Sequence, residues 1–202
     1  VSNADLVIEA VPEILALKQS IFSNLDKICK KNTIFASNTS SISIDEIANS
    51  TNRPDSVIGM HFMNPVPIMK LVEIIKGKKT SKYTLNTIIN ISKNLNKIPI
   101  ECNDSPGFVS NRILMPMINE AAHCFHEGVA DESSIDSIMT LGMGHPMGPL
   151  KLSDFIGNDT VLSIIENLAN ENGKIIGVSE TLKKLVKDNY LGDKIGKGFG
   201  NP

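Results

Sequence analysis

The feature that most constrains this sequence is a change of hydrophobic rhythm near its midpoint. Up to about residue 103, short apolar bursts alternate with stretches of helical periodicity; beyond it only helical periodicity remains. Leu6-Val-Ile-Glu-Ala-Val11, Thr33-Ile-Phe-Ala-Ser37, Ser56-Val-Ile-Gly-Met-His-Phe62, Leu71-Val-Glu-Ile-Ile75 and Ile98-Pro-Ile-Glu-Cys102 read as strands. Pro99 suits an edge or a strand start, since proline cannot donate to a ladder. Between the first two strands, Ile14, Leu17, Ile21, Leu25 and Ile28 recur at helical spacing and predict one apolar face. Ser43-Ile-Asp-Glu46 has the form of a capping box opening a short helix. A further helix is expected from about Ser81 to Leu95, with Leu85, Ile88, Ile89 and Leu95 inward. Strands separated by helices imply a parallel sheet covered on both faces.

The second half predicts an all-α unit. Ser105-Pro106 sets a cap before a proline at the first helical position, so a helix is expected from there, with Phe108, Ile113, Leu114, Met117, Ile118, Ala121 and Phe125 on its apolar side. Asp131 caps a short helix bearing Ile135, Ile138 and Met139, and Gly142-Met-Gly-His-Pro-Met-Gly-Pro149 is a turn-rich connector. Helices around Asn158–Asn172 and Ser179–Asp188 follow. The expected division is therefore α/β over 1–103, a partial Rossmann-type sheet, and all-α over 104–202.

Composition narrows the function classes. The 202 residues are 41% hydrophobic and 21% charged, with a net charge of -2 and acids and bases intermixed. That is a globular profile without the basic stripe a nucleic-acid partner requires. No apolar run reaches the ~20 residues of a membrane span, and no basic region precedes the short apolar stretch at the start. A cytoplasmic protein is expected. Cys29, Cys102 and Cys124 are odd in number and widely spaced, which reads as reduced thiols.

Three places hold side chains suited to chemistry. Ser37-Asn-Thr-Ser-Ser41 follows a strand, where ligands bind in open parallel sheets; the same residues also suit a helix-capping loop. His61 ends the next strand and Asn64 follows it; histidine is the usual general base near neutral pH. Glu73 interrupts the apolar run Leu71-Val72-Ile74-Ile75, so it either faces outward or is paired, and His61 is within its reach from the neighbouring strand. Asn111 falls in the first turns of the helix after Ser105-Pro106 and either meets a ligand or is solvated there. His123 and His126 share a helix face, but no further His or Cys cluster completes a metal site, and none is expected.

Ser37-Asn-Thr-Ser-Ser41, His61-Phe-Met-Asn-Pro-Val-Pro-Ile-Met-Lys-Leu-Val-Glu73, Asp104-Ser-Pro-Gly-Phe-Val-Ser-Asn-Arg112 and His145-Pro-Met-Gly-Pro149 together resemble the 3-hydroxyacyl-CoA dehydrogenase family, most closely its bacterial short-chain form. The match runs in register over almost the whole chain. It implies reversible oxidation of an L-3-hydroxyacyl-CoA, such as 3-hydroxybutyryl-CoA, to the 3-ketoacyl-CoA, in fatty-acid or butanoate metabolism. The implied cofactor is NAD, with NADP left open. By the same resemblance His61 is the base and Glu73 its acidic partner, while Ser40 and Asn111 hold the substrate oxygen. Asn64 lies beside both nicotinamide and substrate, and Glu13, Lys18, Ser40 and Lys194 serve the cofactor. The family's helical domain forms homodimers.

The sequence also departs from the family. Residues 1–202 contain no Gly-x-Gly-x-x-Gly turn between a strand and a helix. Family members carry that turn upstream, so the chain is expected to start about where their fourth strand does, with an exposed sheet edge, poor NAD affinity and weak or no activity alone. The family also continues a few residues beyond Gly198-Phe-Gly-Asn-Pro202. Lys151 stands where an acid is common, and Gly173-Lys-Ile-Ile-Gly177 is reshaped. Two other readings are a hydroxyacid dehydrogenase acting on a free sugar acid and a non-catalytic dimer module.

Overall fold

The computed structural model describes residues 1–172 and 177–200, so most of the reshaped 173–177 segment, and the last two residues, lie outside the described residues. The chain forms two compact units, Val1–Val109 and Ser110–Pro202. The division falls after residue 103 because the intervening segment still serves the first unit. Asp104 takes the Ser43 hydroxyl (2.7 Å) and the Asp45 amide (2.9 Å), and Phe108 is buried in that unit's core.

The first unit is one five-stranded sheet in the order β1-β2-β3-β4-β5. Its strands are β1 (Leu6–Glu9), β2 (Ile34–Ser37), β3 (Val57–Phe62), β4 (Leu71–Lys76) and β5 (Ile98–Asn103). Helix α1 (Leu15–Ile28) links the first two strands, α2 (Ile44–Ala48) precedes β3, and α3 (Lys82–Asn94) links the last two. The pairs β1–β2, β2–β3 and β4–β5 are parallel, but β3–β4 is antiparallel. The uniformly parallel sheet expected from the alternation is corrected at this one place. Residues 63–70, between β3 and β4, hold only turns; a parallel crossover needs a dozen or more residues, usually a helix.

Period-two alternation sorts the strand side chains onto two faces. Ile34, Ala36, Ile58, Met60, Val72 and Ile74 pack with Leu85 and Ile88 of α3. Phe35, Val57 and Ile75 pack with Phe22, Leu25, Ile44 and Ile47. Gly59 belongs to this second face, where a Cβ would meet Ile75 Cβ at 2.8 Å. The inward side of α1 is rotated from the one its spacing suggested. Lys18, Phe22 and Leu25 are buried, whereas Ile14, Leu17 and Ile28 are exposed. The aromatic ring of Phe22 meets Phe35 edge-on at 6.0 Å, and the bulkiest apolar group on the helix decides its rotation. Leu95, expected inward, is exposed as the C-cap of α3.

The second unit contains α4 (Ser110–His126), α5 (Glu132–Ser137), α6 (Pro149–Ile156), α7 (Asn158–Asn172) and α8 (Glu180–Lys187), with a π-helical turn over Ile138–Gly142. Helix α4 starts at Ser110 rather than Pro106, because residues 106–109 form turns, with Gly107 and Phe108 at positive φ (71° and 50°). Its buried stripe is Met115, Ile118, Ala121 and Ala122, and Ile113 is exposed. Around that stripe pack Ile135, Leu150, Val161, Ile165, Leu168, Leu182 and Phe199. His145-Pro-Met-Gly-Pro149 acquires a structural reason here. Asp136 accepts the amides of Leu150 (2.9 Å) and Lys151 (2.8 Å) at the start of α6, and its carboxylate fills the space a side chain at Gly148 would need. No helix among the described residues is long and apolar enough to cross a membrane.

Candidate active site

The face that packs α1 and α2 turns polar at one end. Counting by twos along each strand, Val7 leads to Glu9, Phe35 to Ser37, and Val57 past Gly59 to His61. These side chains therefore project on one side of the sheet at the carboxyl ends of β1, β2 and β3. Glu9 pairs in register with Ser37, and Ser37 with Gly59. In the antiparallel pair, His61 and Glu73 are direct partners. Directly opposed residues share a face at close range, and His61 Nδ1 lies 2.8 Å from Glu73 Oε2. Both residues are buried, at 8% and 4% exposure. The other Glu73 oxygen accepts the Val109 amide at 3.3 Å. Phe108 tilts its ring against the imidazole, with centroids 5.9 Å apart.

This arrangement defines the tautomer. A carboxylate beside Nδ1 favours the proton there and leaves the Nε2 lone pair available as a base. The negative charge also stabilises the imidazolium once a proton arrives. Its field reaches further. Burial first, then the charges of Glu73, Asp104 and Glu101, push the Cys102 thiol from its ordinary 9.0 up to about 11.

Next to this pair lies the loop 38–42. Asn38 accepts the Phe62 amide on its side-chain oxygen (2.9 Å), tying the loop to the end of β3. Glu13 Oε1 gathers the Thr39 hydroxyl (2.5 Å) and the amides of Ser40 and Ser41 (both 3.0 Å). Burial opposes the charge on Glu13, but Thr39, Lys18 and the amides of Ser41 and Ser40 outweigh it and hold the carboxyl below its ordinary 4.5.

The structure thus brings His61 to Glu73, and Glu13, Lys18 and Ser40 to one another. Asn64 is exposed in the turn after β3, where the Asn64–Pro65 peptide is cis. Asn111, buried, and Lys194 belong to the second unit; Lys194 Nζ lies 2.5 Å and 2.6 Å from the Asp159 carboxylate. Lys18 was expected to touch a cofactor, yet it is 1% exposed and its ammonium lies on Glu9, Glu13 and the Val11 carbonyl. His123 and His126 lie on the Gly177 carbonyl (3.3 Å) and the Thr181 hydroxyl (3.0 Å), and no group of three metal-ligating side chains occurs among the described residues. Sequence reasoning singled out the segment that holds Asn38 and Thr39 but missed Glu9 and the part Phe108 plays beside His61. Glu9 carried the same signal as Glu73, a lone acid inside an apolar run.

A Rossmann-type α/β unit with its polar residues at the strand ends, followed by a helical unit, defines the class of a nucleotide-dependent enzyme. Comparison with known proteins narrows it. Residues 1–105 match the model of the 3-hydroxyacyl-CoA dehydrogenase NAD binding domain, and residues 107–201 that of the 3-hydroxyacyl-CoA dehydrogenase C-terminal domain. This chain belongs to the 3-hydroxyacyl-CoA dehydrogenase family, whose members are NAD-dependent oxidoreductases. The 3-hydroxybutyryl-CoA dehydrogenase of Clostridioides difficile is 53% identical over 98% of this chain and 70% of its own length. The mitochondrial hydroxyacyl-coenzyme A dehydrogenase of Sus scrofa is 45% identical, with 98% and 64% covered. The crystal structure of (S)-3-hydroxybutyryl-CoA dehydrogenase from Ralstonia eutropha superposes with a TM-score of 0.93 at 48% identity, over 97% of this chain and 70% of that one.

Proposed function

We propose that this chain carries out the reversible oxidation of L-3-hydroxybutyryl-CoA, or a close 3-hydroxyacyl-CoA, to the 3-ketoacyl-CoA, with His61 as general base. The observation that carries the reading is the buried His61–Glu73 pair at 2.8 Å across an antiparallel register. His61 Nε2 takes the proton of the substrate hydroxyl. Glu73 holds the ring by Nδ1 and offsets the charge it acquires. Phe108 restricts rotation of the imidazole and keeps water from its face. A bound NAD would supply the hydride acceptor for the carbon that bears that hydroxyl. Strand ends whose side chains are hydroxyls, amides and carboxylates fit the ribose hydroxyls and the carboxamide of such a group, which need many hydrogen bonds.

The remaining roles follow the family pattern. In the first unit Ser40 hydrogen-bonds the oxygen at the reacting carbon, while Glu13 and Asn64 serve the cofactor side; in the second unit Asn111 and Lys194 match the family's substrate and cofactor residues. Lys18 acts on the cofactor side through Glu13, since its ammonium is already taken by Glu9, Glu13 and Val11. Residues 1–109 constitute the cofactor-binding part and residues 110–202 the helical part, through which two copies of the chain associate.

The test is acetoacetyl-CoA-dependent oxidation of NADH. Residues 1–202 hold no glycine fingerprint, so turnover by these residues alone is expected to be slow and NADH is kept saturating. His61→Ala is expected to lower kcat by about a thousandfold, the usual scale of a positioned acid–base group. Free acetoacetate is expected not to react. A His61→Ala variant as fast as the unsubstituted chain would sink the assignment.

A further inference from the structure

We infer that Glu9, at the end of β1, is a positioning residue for the reaction proposed above, acting through Lys18, Ser37 and Glu13 to fix the loop that carries Ser40. The inference rests on that reading for its catalytic consequence, but its structural basis is independent of it.

Glu9 is 5% exposed, and its carboxylate is consumed by three separate pieces of chain. Oε1 accepts the Val11 amide (2.6 Å) and the Lys18 ammonium (2.8 Å), and Oε2 accepts the Ser37 hydroxyl (2.7 Å). Lys18 then divides its three donors among Glu9, the Val11 carbonyl (3.1 Å) and Glu13 Oε2 (3.3 Å). Glu13 passes the restraint on, because its other oxygen anchors Thr39, Ser40 and Ser41. A second route runs through Ser37, whose hydroxyl oxygen also accepts the Thr39 amide (3.3 Å). Both routes start at Glu9 and end on the loop.

Stability does not explain why a charged pair stands here. A buried ion pair is often no better than apolar residues of the same volume. What the pair supplies is geometry. The ammonium is shared between two carboxylates, so it sets the position of Glu13 and hence of the loop. Removing the charge at Glu9 leaves Glu13 as the one carboxylate that pairs with Lys18, beside the neutral Val11 carbonyl, and draws that carboxylate off the loop amides.

Glu9→Gln keeps the volume and one acceptor oxygen for the Val11 amide, turns the oxygen that accepts the Ser37 hydroxyl into an amide donor to that hydroxyl oxygen, and removes the charge. Hydrogen exchange is expected to quicken by about tenfold or more at the Ser40 and Ser41 amides, with β3 amides changing by less than about twofold. Ser37→Ala, which opens only the second route, is expected to produce a smaller increase at the Thr39 amide. In the NADH assay Glu9→Gln is expected to lower kcat about tenfold, with the KM for acetoacetyl-CoA within about threefold. Combining it with Ser40→Ala is expected to add less than about twofold to the loss from Ser40→Ala alone, since both changes disable one unit. A merely structural Glu9 would lower Tm, leave kcat unchanged and act additively. Unchanged exchange at Ser40 and Ser41 in Glu9→Gln overturns the inference, and so does full additivity. If the unsubstituted chain does not oxidise NADH at all, the reaction reading fails by itself, and the exchange measurement still decides whether Glu9 sets the loop.

Discussion

Cys102 reports on the charge of Glu73, the partner of the candidate base. Its thiol is pushed up to about 11 by burial and by Glu73, Asp104 and Glu101, against an ordinary 9.0. At pH 8 that leaves roughly a hundredth of the thiolate of a free cysteine, and alkylation is slower in proportion. We expect iodoacetamide to modify Cys102 far more slowly than a cysteine peptide, as followed by mass spectrometry. Burial is the largest cause, so Glu73→Gln should speed the reaction severalfold without restoring the peptide rate. A Cys102 rate untouched by Glu73→Gln would mean that the Glu73 charge does not act on it. Two of the acids that break apolar strands in the first unit, Glu9 and Glu73, show how much of the site was legible locally. Glu73 was readable as paired because a histidine lay on the next strand. Glu9 was not, because its partner Lys18 lies on α1, and only the rotation of that helix turns the ammonium inward onto Glu9.

At the scale of elements, the shortness of the β3–β4 connection is decisive. Helices separate most strands of the first unit, but the eight residues 63–70 reverse the chain instead, and that reversal sets His61 opposite Glu73. A one-residue slip in this pairing would turn one of the two side chains to the far face. In the second unit, the start of α6 is held from outside the helix by Asp136. Asp136→Ala removes the acceptor for the Leu150 and Lys151 amides and is expected to cost about 1–2 kcal/mol in urea unfolding, the scale of a lost helix cap. A loss under about 0.3 kcal/mol would show that water serves those amides equally well. The sequence motif around Gly148 was legible as a turn, but its need for glycine was not, since the obstacle is a side chain twelve residues earlier.

For the molecule as a whole, acid is the expected weak point. Glu13 and Asp26 both hold their protons less tightly than usual. Each is opposed by burial; Glu13 is outweighed by Thr39, Lys18 and loop amides, and Asp26 by the Asn52 amide and Arg53. A carboxyl depressed in the folded state contributes stability that is fully present above its unfolded value and is lost as pH falls through the folded one. Tm is therefore expected to hold from neutral pH down to about 5 and to fall below the ordinary 4.5 and 3.8 of these groups. Glu13→Gln should flatten part of that fall. An acid limb identical in Glu13→Gln would show that this carboxylate does not take part.

The amino-acid sequence alone determined the order of strands and helices, the change from α/β to all-α, and the residue types able to move a proton, because these rest on local periodicity and on the chemistry of single side chains. Only the tertiary structure decided that β4 runs against β3, that α1 buries Lys18 rather than Leu17, and that Glu9, Lys18 and Glu13 form one network under the Ser40 loop. Those outcomes depend on register and burial between segments far apart in the chain. A carboxylate that reads as an isolated charge along the sequence becomes a shared acceptor only when folding removes the water that would otherwise have served it.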